Sequence, residues 1–423
     1  MCDKDFITFF IENFNLSDLE ITERDLLEIW NKNKQEIILK SRRIKINSVT
    51  LVKNQEDHIL QSIESSKLIA DNICVFDTGS TDNTIEIIRK QQIANRKIFL
   101  DYIKWTENFA EARNKANNLV PEGWVFLIDS DEKLLSELSV NFLKISLSLI
   151  ELLYPKYDLA IGFKQTGGES LVTNWIDRLY KKSHTLKFFG HVHEELRSRN
   201  QLKKIRTQFI LENYGRTDEQ KEKFDKARRY YNLLLKNIDE EPDNIKWVAL
   251  LPFEEAIKKK EWYLERLEFF AKKVLHKNEN PSIPMMYEEN FFQETVLVDY
   301  IRLLLLLDKL EVAEEMIYLS RKKFPTNTSL LFLYYYIKNN AIVLNAIKLV
   351  SDLKNDIREL KDNNKFQQRW EYYTSVFGFE ELLVKLLLKS EKYNVAISLL
   401  DSLDLNNNEK SLISEEKKYL SNK

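Results

Sequence analysis

Three aspartates in the first third of the sequence each follow an apolar run. Asp77 closes Ile73-Cys-Val-Phe, and Asp129 and Asp131 follow Trp124-Val-Phe-Leu-Ile, in the order Asp129-Ser130-Asp131. Two carboxylates one residue apart at a strand end can share a hard cation. Mg²⁺ or Mn²⁺ takes oxygen ligands and also bridges phosphates. A solvated turn or a helix-capping pair has the same spelling. Asp77 can accept hydrogen bonds from a ribose or a base. It can also cap the helix after Asn83, although Ser80, Thr81 and Asp82 suffice for that. A third cluster, His191-Val-His193-Glu194-Glu195, offers imidazoles and a carboxylate base. In an extended segment His191 and His193 share one face and Glu194 takes the other. In a turn that geometry fails, and a surface histidine pair is the alternative. Zinc needs a third nitrogen or sulfur ligand that this neighbourhood lacks.

These residues need a scaffold that holds them at strand ends. Residues 47–53 read as a first strand, 58–69 as an amphipathic helix, 73–76 as strand two, 97–102 as strand three and 124–128 as strand four. A helix starts at Asn108 and places Arg113 on one face. Strand and helix in alternation predict a parallel α/β sheet, whose ligands sit beyond the carboxyl ends of the strands. Helix returns at 138–152. Further strands are expected at 159–164, 175–180 and 186–189, with a break at Gly167-Gly168. Seven of the eight glycines fall between residues 79 and 215, so the loop-rich, site-bearing part of the protein lies there. From about Thr217 the pattern is helical: 224–238, 246–260, 262–277, 288–307, 311–323, 329–338, 341–360, 366–388 and 392–402. Polar entries closing on Val-Ala, at Asp308 and Ser390, hint at tetratricopeptide-like hairpins. Residues 1–45 read as a packing or dimerisation helix pair.

Composition narrows the function. A protein of 423 residues with 43% hydrophobic content should hold two or three domains with sizeable cores. A net charge of −2 gives no global field for nucleic acid or anionic membrane. Cys2 and Cys74 are the two cysteines, too few for a disulfide framework, so a reducing cytoplasm is expected. The opening Met-Cys-Asp-Lys-Asp-Phe does not read as a secretion signal, and no apolar run is long enough to span a bilayer. No G-x-G-x-x-G follows a strand, no P-loop is present and no G-x-S-x-G occurs. A Rossmann dinucleotide enzyme, a P-loop NTPase and an α/β-hydrolase are therefore not expected.

In order, LVKNQED, VFDTGSTDNT, WTENFAEARN, FLIDSDE and FFGHVHEEL resemble the motifs of family-2 glycosyltransferases of the GT-A fold, over about residues 47–215. The layout is similar to the sublancin-type peptide S-glycosyltransferases that modify glycocin bacteriocins. The resemblance implies an N-terminal helical segment (1–45), an α/β GT-A domain with a Rossmann-like mixed sheet (46–215) and an all-α tetratricopeptide-like domain (216–423). It implies that Asp77 contacts the uracil or ribose, that Asp129 lies nearer the ribose, and that Asp131 ligates Mg²⁺ or Mn²⁺, with His193 as a second ligand. Val52, Asn54, Ser80, Arg113 and Ser130 fall in motifs that face the nucleotide sugar, and Lys53 sits in the same opening turn. His193 and Glu194 fall beside the reacting sugar. Gln55 stands where relatives carry Glu, and Asn213 where they often carry His.

The resemblance thus implies a metal-dependent, inverting transfer of a hexose, with glucose from UDP-glucose as the expectation. The acceptor would be a Cys, or a Ser, of a bacteriocin precursor peptide. A thiol of unperturbed pKa about 8.5 needs modest help from a base, and Glu194 is the candidate. The helical half would serve dimerisation and peptide gripping, with Tyr334, Tyr335, Tyr336, Tyr372 and Tyr373 lining a groove or, alternatively, packing a core. A homodimer in the cytoplasm, binding a UDP-sugar and a peptide but no nucleic acid, is expected. The alternatives are a transferase for a cell-surface polysaccharide or lipid-linked sugar, and a nucleotide-binding helical-repeat scaffold.

Overall fold

The structure is a computed structural model. It describes residues 3–167, 170–214, 226–276, 287–341, 346–362, 376–389, 392–402 and 418. The protein divides into two compact units, Met1–Asn237 and Ile238–Lys423.

The first unit opens with α1 (Asp3–Asn13) and α2 (Glu23–Ser41). It continues as β1 (Ile46–Val52), α3 (Ile59–Ile69), β2 (Asn72–Asp77), α4 (Thr84–Ala94), β3 (Ile98–Tyr102), α5 (Phe109–Leu119), β4 (Trp124–Leu127), β5 (Glu132–Leu134) and α6 (Val140–Leu153). It closes with β6 (Asp158–Gly167), β7 (Ser170–Lys181), β8 (Leu186–Phe189), β9 (Glu195–Ser198), β10 (Leu202–Asn213) and α7 (Lys226–Glu240). Eight strands form one sheet in the order β3-β2-β1-β4-β7-β6-β10-β5, and β8 pairs with β9 apart from it. The expectation of a parallel sheet holds for β1 to β4, and the other half is mixed. Buried β-branched and aromatic runs build β1, β2 and β4, while β3 at the edge is largely exposed. Val52 stands beside Asp77 in register, so the ends of β1 and β2 are level.

Strand β10 was missed in the sequence, although Ile205, Thr207, Phe209 and Leu211 alternate inward there. The helix pair α1–α2 buries Phe6, Phe10, Leu26 and Trp30 in the same core as Phe126, Phe163 and Phe209 of the sheet. The Phe6 and Trp30 rings lie 4.4 Å apart, tilted by 32°, and Phe14 meets Phe209 edge-on at 5.6 Å. Of the two readings of residues 1–45, the described contacts are those of packing. The border between units falls later than the composition break at 215/216, which lies outside the described residues. Asn237, near the end of α7, is hydrogen-bonded to the backbone of residues 191 and 192, and this ties the helix to the turn between β8 and β9.

The second unit is helical: α8 (Ile245–Ala249), α9 (Phe253–Ala256), a short 3₁₀ turn, α10 (Lys260–His276), α11 (Tyr287–Leu306), α12 (Leu310–Lys323), α13 (Thr328–Ala341), α14 (Ala346–Asp362), α15 (Val376–Lys389) and α16 (Tyr393–Ser402). Consecutive helices from α10 onward pack on one another. The single helix expected over 246–260 is broken, because Pro252 cannot continue the ladder from Leu250. Tyr335 lies in a core with Phe332 and Phe379 and donates its hydroxyl to Asp356. Tyr334 packs against that core, while Tyr336 is exposed. Tyr372 and Tyr373 lie outside the described residues. Among the described residues, no helix is long and apolar enough to cross a membrane.

Candidate active site

Two loops leave the carboxyl ends of β1 and β2 and are laced together. The Thr78 amide and hydroxyl both donate to the Val52 carbonyl, at 2.9 and 3.0 Å. Asn54 adopts φ +51. Its amide donates to Ser80 Oγ (3.0 Å), and its side-chain oxygen accepts the Thr81 amide (2.8 Å). The Asp77 carboxylate accepts the amides of Gly79 (2.9 Å) and Ser80 (3.1 Å). Of the three residues expected to cap α4, Asp82 alone does so. Ser80 and Thr81 serve Asn54, while Asp82 accepts the Thr84 amide at the start of α4 (3.0 Å). Asp77 caps its own loop, as short acidic side chains do in turns.

Beyond the end of β4, a row of alternating charges spans the site. Glu132 is fully buried and accepts the Asp129 amide (3.0 Å), the Gln165 amide group (2.6 Å) and Arg178 Nη2 (2.6 Å). The same Arg178 nitrogen donates to Asp129 Oδ2 at 2.5 Å. Asp129 Oδ1 accepts Arg113 Nη2 at 2.9 Å, and Arg113 Nε donates to Glu194. Both arginines are 7% exposed. Burial works against the charge on Asp129, but Arg178 and Arg113 outweigh it and hold the carboxyl well below its usual range. Burial opposes the charge on both arginines in turn, and the acidic partners push them up.

The His191–Glu194 segment is a turn, so the shared-face geometry does not apply. His193 sits at φ +52 with its side chain exposed, edge-on to Tyr230 of α7 at 5.6 Å between ring centroids. Burial, then the charges of Glu194 and Asp129, push the Tyr230 phenol up against the opposing pull of Arg229. The turn is anchored from two sides. The Phe109 and Ala110 amides, at the start of α5, donate to the carbonyls of His191 (2.9 Å) and Gly190 (3.3 Å).

A metal would find no closed cage. Among the described residues, no three His, Cys, Asp or Glu side chains converge, so Asp131 and His193 are not joined by a third ligand. Asp129 commits both oxygens to arginines. Asp131, half-buried two residues on, carries the pair's other carboxylate, the kind of oxygen ligand that Mg²⁺ takes alongside phosphate oxygens and water.

Residues 49–139 match the family model "Glycosyl transferase family 2". This protein has a family-2 glycosyltransferase domain. Over 200 residues it is 26% identical to the SPbeta prophage-derived glycosyltransferase SunS of Bacillus subtilis (strain 168), covering 47% of this protein and 46% of SunS. It is 33% identical over 99 residues to an uncharacterized glycosyltransferase of Rickettsia conorii, covering 23% and 33% of the two proteins. The match thus spans about half the length or less of these curated relatives. A crystal structure of S. aureus TarS 1–349 aligns with 69% of this protein and 87% of that one, at 16% identity and a TM-score of 0.31.

The expected site residues divide by location. Val52, Asn54, Asp77 and Ser80 share the laced loops, and Arg113, Asp129 and Glu194 share the row of charges. Ser130 is buried between the two aspartates, Asp131 is half-buried, and His193 is exposed on its turn. Sequence reasoning missed Glu132, Arg178, Gln165, Tyr230 and Asn237. Glu132 directly follows the D-x-D spelling, and Arg178 interrupts an apolar strand, so both carried a signal: a charge where burial is expected.

Proposed function

We propose that this protein transfers a hexose, glucose by expectation, from a UDP-sugar to a cysteine or serine of a bacteriocin precursor peptide, with a divalent cation and with inversion. The observation that best supports this reading is that one guanidinium, Arg113, meets both Asp129 and Glu194, the carboxylates assigned here to the nucleotide and to the acceptor. Asp77 and Asp129 hold the nucleoside, with Asn54 and Ser80 shaping the loop beneath it. Glu194 accepts the thiol proton as the sulfur forms its bond to the anomeric carbon. The bond from that carbon to the diphosphate oxygen breaks in the same step, and UDP leaves with the electron pair. A cation held by Asp131 and the diphosphate, with His193 near the sugar, would neutralise the charge that develops on the leaving group. The helical unit is assigned to gripping the peptide and to forming a homodimer in the cytoplasm.

The test is thermal shift with a panel of UDP-sugars, with and without Mg²⁺, on wild type and Asp131→Asn. Stabilisation grows with free ligand over its dissociation constant. A shift that needs both metal and Asp131 supports the reading, and the best sugar names the donor. No shift with any nucleotide sugar sinks it. Glu194→Gln should lose transfer to a cysteine-containing peptide, read as a mass gain of one hexose, while UDP still binds.

A further inference from the structure

The turn from Gly190 to Glu194 is an unusual place for a catalytic carboxylate. Gly190 stands at φ +101 and His193 at φ +52, so two of its residues occupy the left-handed region. Outside glycine that conformation persists where surrounding bonds over-determine it. Beside the α5 amides, one side chain supplies part of this from a distance in sequence. Asn237, 2% exposed on α7, accepts the His191 amide on Oδ1 at 2.6 Å and donates Nδ2 to the Val192 carbonyl at 3.1 Å. Its neighbour Lys236 pairs with Glu107 (3.1 Å), whose carbonyl lies 3.3 Å from His191 Nδ1. An amide is the right group for this latch, because it offers one acceptor and one donor on the same short stem. The orientation is fixed, since a backbone N–H faces one end and a backbone carbonyl the other.

We infer that Asn237 is a positioning residue for transfer, one that holds the His191–Glu194 turn and so places the Glu194 carboxylate against the acceptor. This rests on Glu194 being the base. Among the described residues, the hydrogen bonds of Asn237 reach neither Asp77 nor Asp129, so its effect should fall on the reaction step and spare the nucleotide. Asn237→Asp keeps the acceptor for His191 but sets a carboxylate oxygen against the Val192 carbonyl. Asn237→Ser keeps a smaller hydroxyl.

The experiment measures kcat with UDP-glucose and a cysteine-containing peptide, the UDP affinity by calorimetry, and the unfolding midpoint, on wild type, both Asn237 variants and Glu194→Gln. Displacing a reacting group by about 1 Å costs on the order of 10²-fold, so kcat for Asn237→Asp should fall by roughly that factor with UDP affinity within about twofold of wild type. Asn237→Ser should lie between the two. The inference is overturned if folded Asn237 variants keep wild-type kcat, if UDP affinity falls in step with kcat, or if both variants lose their cooperative unfolding transition. The reading it rests on fails differently: there Glu194→Gln transfers as well as wild type, whatever the Asn237 variants do.

Discussion

Removing the Arg178 guanidinium should destabilise the first unit more than any other single change in the site. Glu132 is fully buried, and among the described residues its cationic partner is Arg178, at 2.6 Å. Arg178→Met fills much of the same volume but leaves Glu132 and Asp129 as two acidic groups with Arg113 alone beside Asp129. Breaking a buried pair from one side costs about 3–5 kcal/mol, because the other charge stays buried without compensation. In a unit of this size each kcal/mol moves the midpoint by roughly 2–4 °C, so a loss on the order of 10 °C is expected. Glu132→Gln should cost less, about 1.5–3 kcal/mol, since the amide oxygen still accepts the Asp129 amide and Arg178 keeps Asp129. The double variant Arg178→Met/Glu132→Gln is the decisive one. With the stranded charge gone, its cost should fall short of the sum of the two singles by about 2 kcal/mol, within the coupling range for residues in one network. Urea unfolding of the four proteins closes the cycle. Strict additivity, or an Arg178→Met loss below about 1 kcal/mol, would mean the row of charges does not bear on stability and the reasoning fails.

Other consequences are checked more briefly. Burial pushes the Cys74 thiol up to about 11, so a thiol reagent at pH 8 should label it far more slowly in the native protein than in urea. A thiol whose folded pKa is raised contributes stability in full below its unfolded pKa of about 8.5, and that contribution is lost as pH rises toward 11. Cys74→Ala should therefore flatten the alkaline arm of the stability curve in that window. Gly123→Ala should destabilise by about 1–3 kcal/mol in urea titration. Gly123 stands at φ +140, and its new Cβ would lie 2.6 Å from the Lys45 carbonyl that receives the Trp124 amide at the start of β4. Asp77→Asn should weaken UDP binding by calorimetry while leaving the midpoint of the unliganded protein close to wild type, since an amide oxygen still accepts the Gly79 amide.

Strands β1, β2 and β4 of the parallel half were legible because each is a short buried run followed by a polar turn. Val49 to Val52, Ile73 to Phe76 and Trp124 to Ile128 say so in their own spelling. The mixed half was less legible. Strand β10 carries Lys203, Lys204 and Arg206 in its first half, and its buried alternation begins only at Ile205. The site was legible where residues adjacent in sequence act together, as in Asp77-Thr-Gly-Ser and Asp129-Ser-Asp. It was hidden where partners come from far apart: Arg178 reaches Asp129 across 49 positions, and Asn237 reaches His191 across 46. Spacing rules see helices and turns, and they do not see which strand of a mixed sheet lies next to which.

The row of charges also says what a nucleotide diphosphate would meet. Among the described residues of this rim, the buried carboxylates Asp129, Glu132 and Glu194 are bonded to two guanidiniums, Arg113 and Arg178. Neither arginine carries charge to spare, because each already stands between two carboxylates. A diphosphate arriving here adds negative charge to a negative rim, at short range and in partly dry surroundings where screening by salt is weak. Affinity for UDP should therefore depend steeply on a divalent cation, and much more so than affinity for uridine, which brings no phosphate. Calorimetry with UDP and with uridine, each in Mg²⁺ and in chelator, separates the two contributions. If chelation weakens both ligands equally, the cation acts on the fold. If it weakens neither, the diphosphate is compensated by cations other than the two arginines bonded within this rim, and Asp131 loses its assigned role.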